Sequence, residues 1–195
     1  MRHNPPMEPN RPAPGTKFAL QFDPALIREF AALYSYPPEG RIVDEIGPAA
    51  KRRGWYTKAE FVEICTWKSP RSATRAARLN SAEAVEEITR TALAAKTEQL
   101  RIWAPQALAF VSWPTASVLL HFGHHEPYPI LDYRALESFG VRRPAAYTMR
   151  FWLEYLAATR ALAGDRGVDM RTLDRALWQW SKENGTIRSD GDSRE

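Results

Sequence analysis

Leu108 to Gly140 reads LAFVSWPTASVLLHFGHHEPYPILDYRALESFG, and no other stretch narrows the possible folds as much. Its ASVLLHF segment is apolar with no breaker before Gly123, and Pro114 suits a first helical position, so a helix is predicted to open near Pro114. A helix this apolar needs other elements packed around it. Gly123 and the run His124 to Pro129 predict a turn after the helix, with Pro127 and Pro129 forcing extended backbone. Ile130 and Leu131 then draw the chain inward just before Asp132. A carboxylate behind two large aliphatics is only partly exposed, and such an acid is either paired or chemically employed. Thr115 and Ser117 fall near the amino end of the predicted helix, where free backbone N–H groups favour an anion such as phosphate.

The remainder follows helical spacing. Leu26, Ile27, Phe30, Leu33 and Tyr34 recur at that spacing behind Asp23, an N-cap, and Pro24, a helix-opening proline. Residues 41–53 predict a shorter helix broken at Gly47-Pro48. Thr57 and Glu60 make a capping box ahead of FVEIC, and an interruption from Trp67 to Arg71 leads into SATRAARLN. Ser81 caps AEAVEEITRTALAAK, and two aromatic-rich helices follow later, Tyr147 to Ala163 and Met170 to Lys182, the last capped by Asp169. No segment carries a strand period and none repeats, so the fold class is all-α. Residues 1–17, MRHNPPMEPNRPAPGTK, hold too little apolar surface to offset their ordering entropy and are expected to be disordered, as are the polar residues 185–195. Residues 18–184 are expected to form a single all-α domain with room for two lobes.

The net charge of +4 over 195 residues leans toward a polyanionic partner without requiring one. Arg71, Arg75 and Arg78, at spacings of four and three with no acid between them, share a helix face and form a basic ridge. Lys51, Arg52 and Arg53 read as solvated surface. Cys65, the only cysteine, offers neither a disulfide nor a cysteine zinc site and suits a reducing cytoplasm, the expected location. His121, His124 and His125 lie close together, but Gly123 ends the helix between them and further ligands are lacking, so no metal is expected. No apolar run approaches about eighteen residues and no signal-like segment precedes the domain, so no membrane association is expected.

The order of turn, PTAS helix, short loop, YPILDYRAL and FG resembles the core of the helix-hairpin-helix DNA glycosylase superfamily, the endonuclease III and adenine glycosylase fold, over roughly Phe61 to Gly140. In that family a hairpin of the form LPGVG opens a helix, and a PVDTHV-like segment some twenty residues later supplies a catalytic aspartate. Asp132 falls at that place, with Pro129 before it and Arg134 behind it as a pairing partner. The resemblance implies a compact helical bundle, and it sets Ser112, Trp113, Thr115 and Ser117 of the hairpin region against DNA. It also makes Trp67 a candidate wedge or stacking residue and Lys68 a phosphate contact. Two departures stand out. Phe110 and Ser112 occupy positions where the family hairpin carries glycine, and no lysine lies between Lys96 and Lys182 to act as the Schiff-base nucleophile of bifunctional members. Cys65 alone cannot hold the iron–sulfur cluster of some members, so no cofactor is expected.

The resemblance therefore implies a DNA-binding protein of monofunctional glycosylase type; the sequence does not set its oligomeric state, with a monomer favoured. Asp132 would assist N-glycosidic cleavage of a flipped base, and the ridge of Arg71, Arg75 and Arg78 would meet the backbone. The alternative is a non-catalytic DNA-binding or interaction module on the same fold, with Asp132 a capping or ion-pairing acid. A third reading places a small ligand in the Asp132 pocket and has no nucleic-acid role.

Overall fold

A computed structural model describes residues 17–186, so the tails expected at 1–17 and 185–195 lie almost wholly outside the described residues. The described residues form ten α-helices and no strand. These are α1 (Ile27–Ala32), α2 (Gly47–Arg53), α3 (Lys58–Lys68), α4 (Pro70–Leu79) and α5 (Ala82–Ala94), followed by α6 (Glu98–Trp103), α7 (Trp113–Gly123), α8 (Tyr133–Ser138), α9 (Met149–Arg166) and α10 (Met170–Asn184).

The central helix is α7. Eight of its residues, from Thr115 to Gly123, are buried, and it packs against α2, α3, α5 and α6. A second group gathers on α10, which packs against α1, α8 and α9. The two groups share one apolar core that runs from Phe61, Ile64 and Leu119 to Trp152, Tyr155 and Leu177. Gly123 is required where it stands, because a Cβ there would sit 2.4 Å from the Tyr56 hydroxyl, which donates to the Leu119 carbonyl.

Local signals account for most helix ends. Asp23 caps a 3-10 turn that runs into α1, and the Thr57–Glu60 capping box is complete in both directions. Ser81 and Asp169 cap α5 and α10 as expected. Two expectations are corrected. Gly47-Pro48 does not break its helix, because a π-helical segment, Ile42–Ile46, runs into α2 and Gly47 keeps helical angles. Leu26 and Leu33 stay 37% and 53% exposed, so α1 docks through the buried Ile27 with Phe30 and Ala31 partly buried beside it. The chain after Asp132, for which the spacing predicted no element, is a short helix, α8.

The extended segment between α7 and α8 is tied down along its length. Arg160 donates to the Pro127 carbonyl at 2.8 Å, the Tyr128 hydroxyl donates to Glu98 at 2.7 Å, and the Tyr155 hydroxyl donates to the Ile130 carbonyl at 2.9 Å. Ser117, fully buried in α7, accepts the Leu131 N–H at 2.8 Å. Ser117→Ala would leave that N–H without a partner in the core, and the expected loss is about 2 kcal/mol of unfolding free energy. Denaturant unfolding of the variant beside the wild type measures it.

Candidate active site

Because Ile130 and Leu131 are buried and pinned, Asp132 emerges at a fixed point, with extended backbone, as the N-cap of α8. One carboxylate oxygen accepts the Arg134 N–H at 2.9 Å. The other meets the Lys68 ammonium at 2.5 Å, with both side chains nearly buried at 14% and 10% exposure. Lys68 is the last residue of α3, and Ser69 breaks the helical angles before Pro70 opens α4, so the chain turns at the point where the amine is needed.

This pair borders a cavity of about 450 Å³. Tyr36, Tyr133, Tyr147 and Trp178 give it aromatic walls, and Lys68, Arg134, Arg143 and Lys182 give it four cations against the single carboxylate of Asp132. A wider groove of about 670 Å³ over Phe18 and Phe151 has no such chemistry, since its one acid, Glu154, is already bridged to Lys17 and Arg150.

Behind the pair lies a charged chain. Arg175 and Arg171 both hold the buried Glu39, and Arg171 also pairs with Asp174 on its own helix. Asp174 shares a small cavity of about 20 Å³ with Lys68 and Asp132, room for about one water. Burial pushes the Asp174 carboxyl up to about 6, while Arg171 and Lys68 pull the other way. His121 points inward, its ring Nδ1 2.6 Å from the Tyr128 carbonyl, and burial lowers it to about 3, so it is neutral there and Nδ1–H is the donor. No group of three or more metal-ligating side chains occurs among the described residues.

The residues singled out in the sequence separate in space. Asp132, Lys68 and Arg134 meet at the cavity. Lys68 is corrected from phosphate contact to the cation that holds Asp132, because its ammonium is turned inward and nearly buried. Arg134, only 4% exposed, lies over the Trp178 ring. Trp67 is corrected as a wedge: its ring packs edge-on against Tyr36 and Phe122, and its indole N–H donates to the Pro37 carbonyl. Thr115 and Ser117 are corrected as anion contacts, being 2% and 0% exposed inside the core, with the Ser117 hydroxyl donating to the Pro114 carbonyl. Trp113 is half-buried against the core, and Ser112 is exposed at the N-cap of α7. Arg71, Arg75 and Arg78 are all exposed on α4, whose first residue follows Ser69 at the cavity edge.

Tyr36, Tyr133, Arg143, Tyr147, Asp174, Trp178 and Lys182 went unmarked in the sequence as site residues. For two of them a signal existed: Trp178 and Lys182 are four apart on α10 and so share a face. For Asp174 none did, since an acid in an amphipathic helix is ordinarily solvated.

Asp174 sets a pH dependence of stability. Its folded-state value lies above the ordinary 3.8, so the folded protein binds a proton more readily than the unfolded chain between about pH 4 and 6. Its contribution is therefore favourable at low pH and is lost as pH rises through about 6. Unfolding midpoints of wild type and Asp174→Asn, followed across this window, should diverge, with the wild type losing more stability on the way up.

Two solved structures from Methanocaldococcus jannaschii resemble this one. The first is the 8-oxoguanine glycosylase/lyase in complex with 15mer DNA containing 8-oxoguanine, at 16% identity and a TM-score of 0.46, covering 85% of this chain and 84% of that one. The second is the 8-oxoguanine DNA glycosylase, at 18% identity and a TM-score of 0.44, covering 85% and 81%. No protein-family model matches the sequence, and no curated protein matches it.

Proposed function

We propose that this chain acts on DNA as a base-excision N-glycosylase, with Asp132 assisting cleavage of the N-glycosidic bond of a base turned out of the helix. The observation that carries this reading is one ionisable acid, fixed by Ser117, Leu131 and Lys68, facing a cavity with aromatic walls and a surplus of cations. At about 450 Å³ the cavity falls within the range of small-molecule sites. Tyr36, Tyr133, Tyr147 and Trp178 offer faces on which a base stacks, and Arg143 and Lys182 offer charge to its phosphates.

In the reaction, the C1′–N bond breaks and its electron pair leaves with the base, which takes up a proton. Positive charge grows on the sugar as this happens. Asp132 stabilises that charge or aligns a water on C1′, and the water's oxygen forms the new bond while its proton is released. Lys68 holds the carboxylate in one orientation, so it need not reorganise as charge develops. A second reading, a DNA-binding module without catalysis, is favoured by one specific observation: Asp132 already has two structural duties, as N-cap of α8 and partner of Lys68.

Base release from duplexes carrying oxidised, alkylated or deaminated bases separates the two readings. Asp132→Asn is the informative variant, because asparagine keeps the cap of α8; it leaves the Lys68 ammonium without its partner and should lower stability, so folding of the variant is measured beside its activity. Release by the wild type with a loss of about 10²–10⁴-fold in the variant is expected. Salt-sensitive binding with no release by either protein would establish the non-catalytic module. Borohydride should trap no adduct, since Lys68 is engaged by Asp132, and an adduct lost in Lys68→Ala would instead make that amine the nucleophile.

A further inference from the structure

The turn ahead of α7 holds an unusual side chain. Residues Leu108 to Val111 close a turn through the Val111 N–H and the Leu108 carbonyl at 3.1 Å, and Phe110, its third residue, has φ +64°. Such a position ordinarily takes glycine or asparagine, because a Cβ there crowds the backbone. Phe110 is the only residue other than glycine with positive φ among the described residues. The residue is 43% exposed.

The strained backbone is held from outside. Asn80, at the end of α4 and 5% exposed, accepts the Ala109 N–H at 2.8 Å and donates to the Ala109 carbonyl at 3.0 Å. The two bonds hold Ala109 through the peptide groups on both its sides, which fixes the backbone leading into Phe110. Over the ring sits the Arg75 guanidinium, 5.6 Å from its centre. Arg75 and Arg78 enter no salt bridge among the described residues, and α4 contains no acid.

We propose that Phe110 is a base-stacking contact, its ring lying on a nucleobase a few nucleotides from the one in the Asp132 cavity, with the arginines of α4 on the intervening phosphates. The inference rests on the DNA reading above. The geometry fits that spacing. α4 starts beside the cavity and its ten residues rise about 15 Å to the Asn80 clasp. Pro114, which borders the cavity, is four residues beyond Phe110, at most about 13 Å along the chain. That distance corresponds to about three or four nucleotides of one strand. An exposed, strained aromatic is unfavourable in water, and a stacked base both covers the ring and supplies the negative charge that the adjoining helix face lacks.

The test uses the full chain and a fluorescent duplex with 2-aminopurine placed in turn at successive positions on either side of a target base. Binding by the wild type at low salt, with a change in 2-aminopurine emission at one flanking position, is expected. Phe110→Ala should bind about 10-fold to 100-fold more weakly, lose that emission change and keep the salt slope, whereas Phe110→Trp should retain both affinity and signal. Arg75→Ala should instead lower the slope by about one ion. Phe110→Gly, which suits the left-handed backbone, guards against misfolding and should match Phe110→Ala. Equal binding by wild type, Phe110→Ala and Phe110→Gly would overturn the stacking role while leaving the DNA reading intact. Failure of the wild type to bind at low salt would remove both.

Discussion

The Lys68–Asp132 ion pair joins the end of α3 to the start of α8 across 64 residues of chain, and the geometry of the cavity follows from it. A nearly buried pair of this kind offers little net stability, because desolvating both charges offsets most of their attraction. Its effect is positional. Removing either member would leave the other charge uncompensated, so the arrangement is strongly held once formed. Asp132 is fixed from three directions, by Lys68, by the Arg134 N–H, and by the Leu131 anchor on Ser117. In the proposed reaction a carboxylate so constrained would not need to find its orientation as charge develops.

The ion pair is supported by a second, deeper set of charges. Glu39 gathers Arg171 and Arg175, and Arg171 reaches on to Asp174, which lies near Lys68 and Asp132 around a space for about one water. The Arg171 guanidinium also faces the rings of Tyr34, Trp67 and Phe122. Aromatic packing and ion pairing thus fix α10 against the chain around Tyr34 to Glu39, and with it the Trp178 and Lys182 walls of the cavity. Burial disfavours the charge on Asp174, which lies near Asp132, the acid of the proposed chemistry. This places protonation of the supporting layer and the electrostatics of the cavity in one coupled group.

Two features link the cavity to the exposed basic face. α4 begins at the cavity edge and carries Arg71, Arg75 and Arg78 outward, and its far end grips the turn that presents Phe110. That turn has the left-handed backbone for which glycine is the ordinary choice, yet it carries a phenyl ring. The turn therefore holds a left-handed backbone under a phenyl side chain, at the cost of strain that the Asn80 bonds hold in place.

What the sequence determined by itself was local: the all-α class, the apolar α7 behind Pro114, the capping box at Thr57 and Glu60, the caps at Ser81 and Asp169, and Asp132 as an acid fixed behind buried aliphatics. Each follows from periodicity, proline placement or capping chemistry within one or two helical turns. The arginine face of α4 was equally legible, since helical spacing alone aligns it. Tertiary structure decided the partners. Chain order excluded a lysine in the window before Asp132, and only folding brought Lys68 to it from another helix. The same packing turned Thr115 and Ser117 inward, where burial rather than residue type governs their role, held the partly buried Trp67 ring edge-on to Tyr36 and Phe122, and drew Tyr36, Tyr147, Trp178 and Asp174 to the site from distant segments. No spacing rule encodes such meetings, because contacts between remote side chains depend on how whole helices pack, and a sequence pattern reports only which face of each helix is apolar.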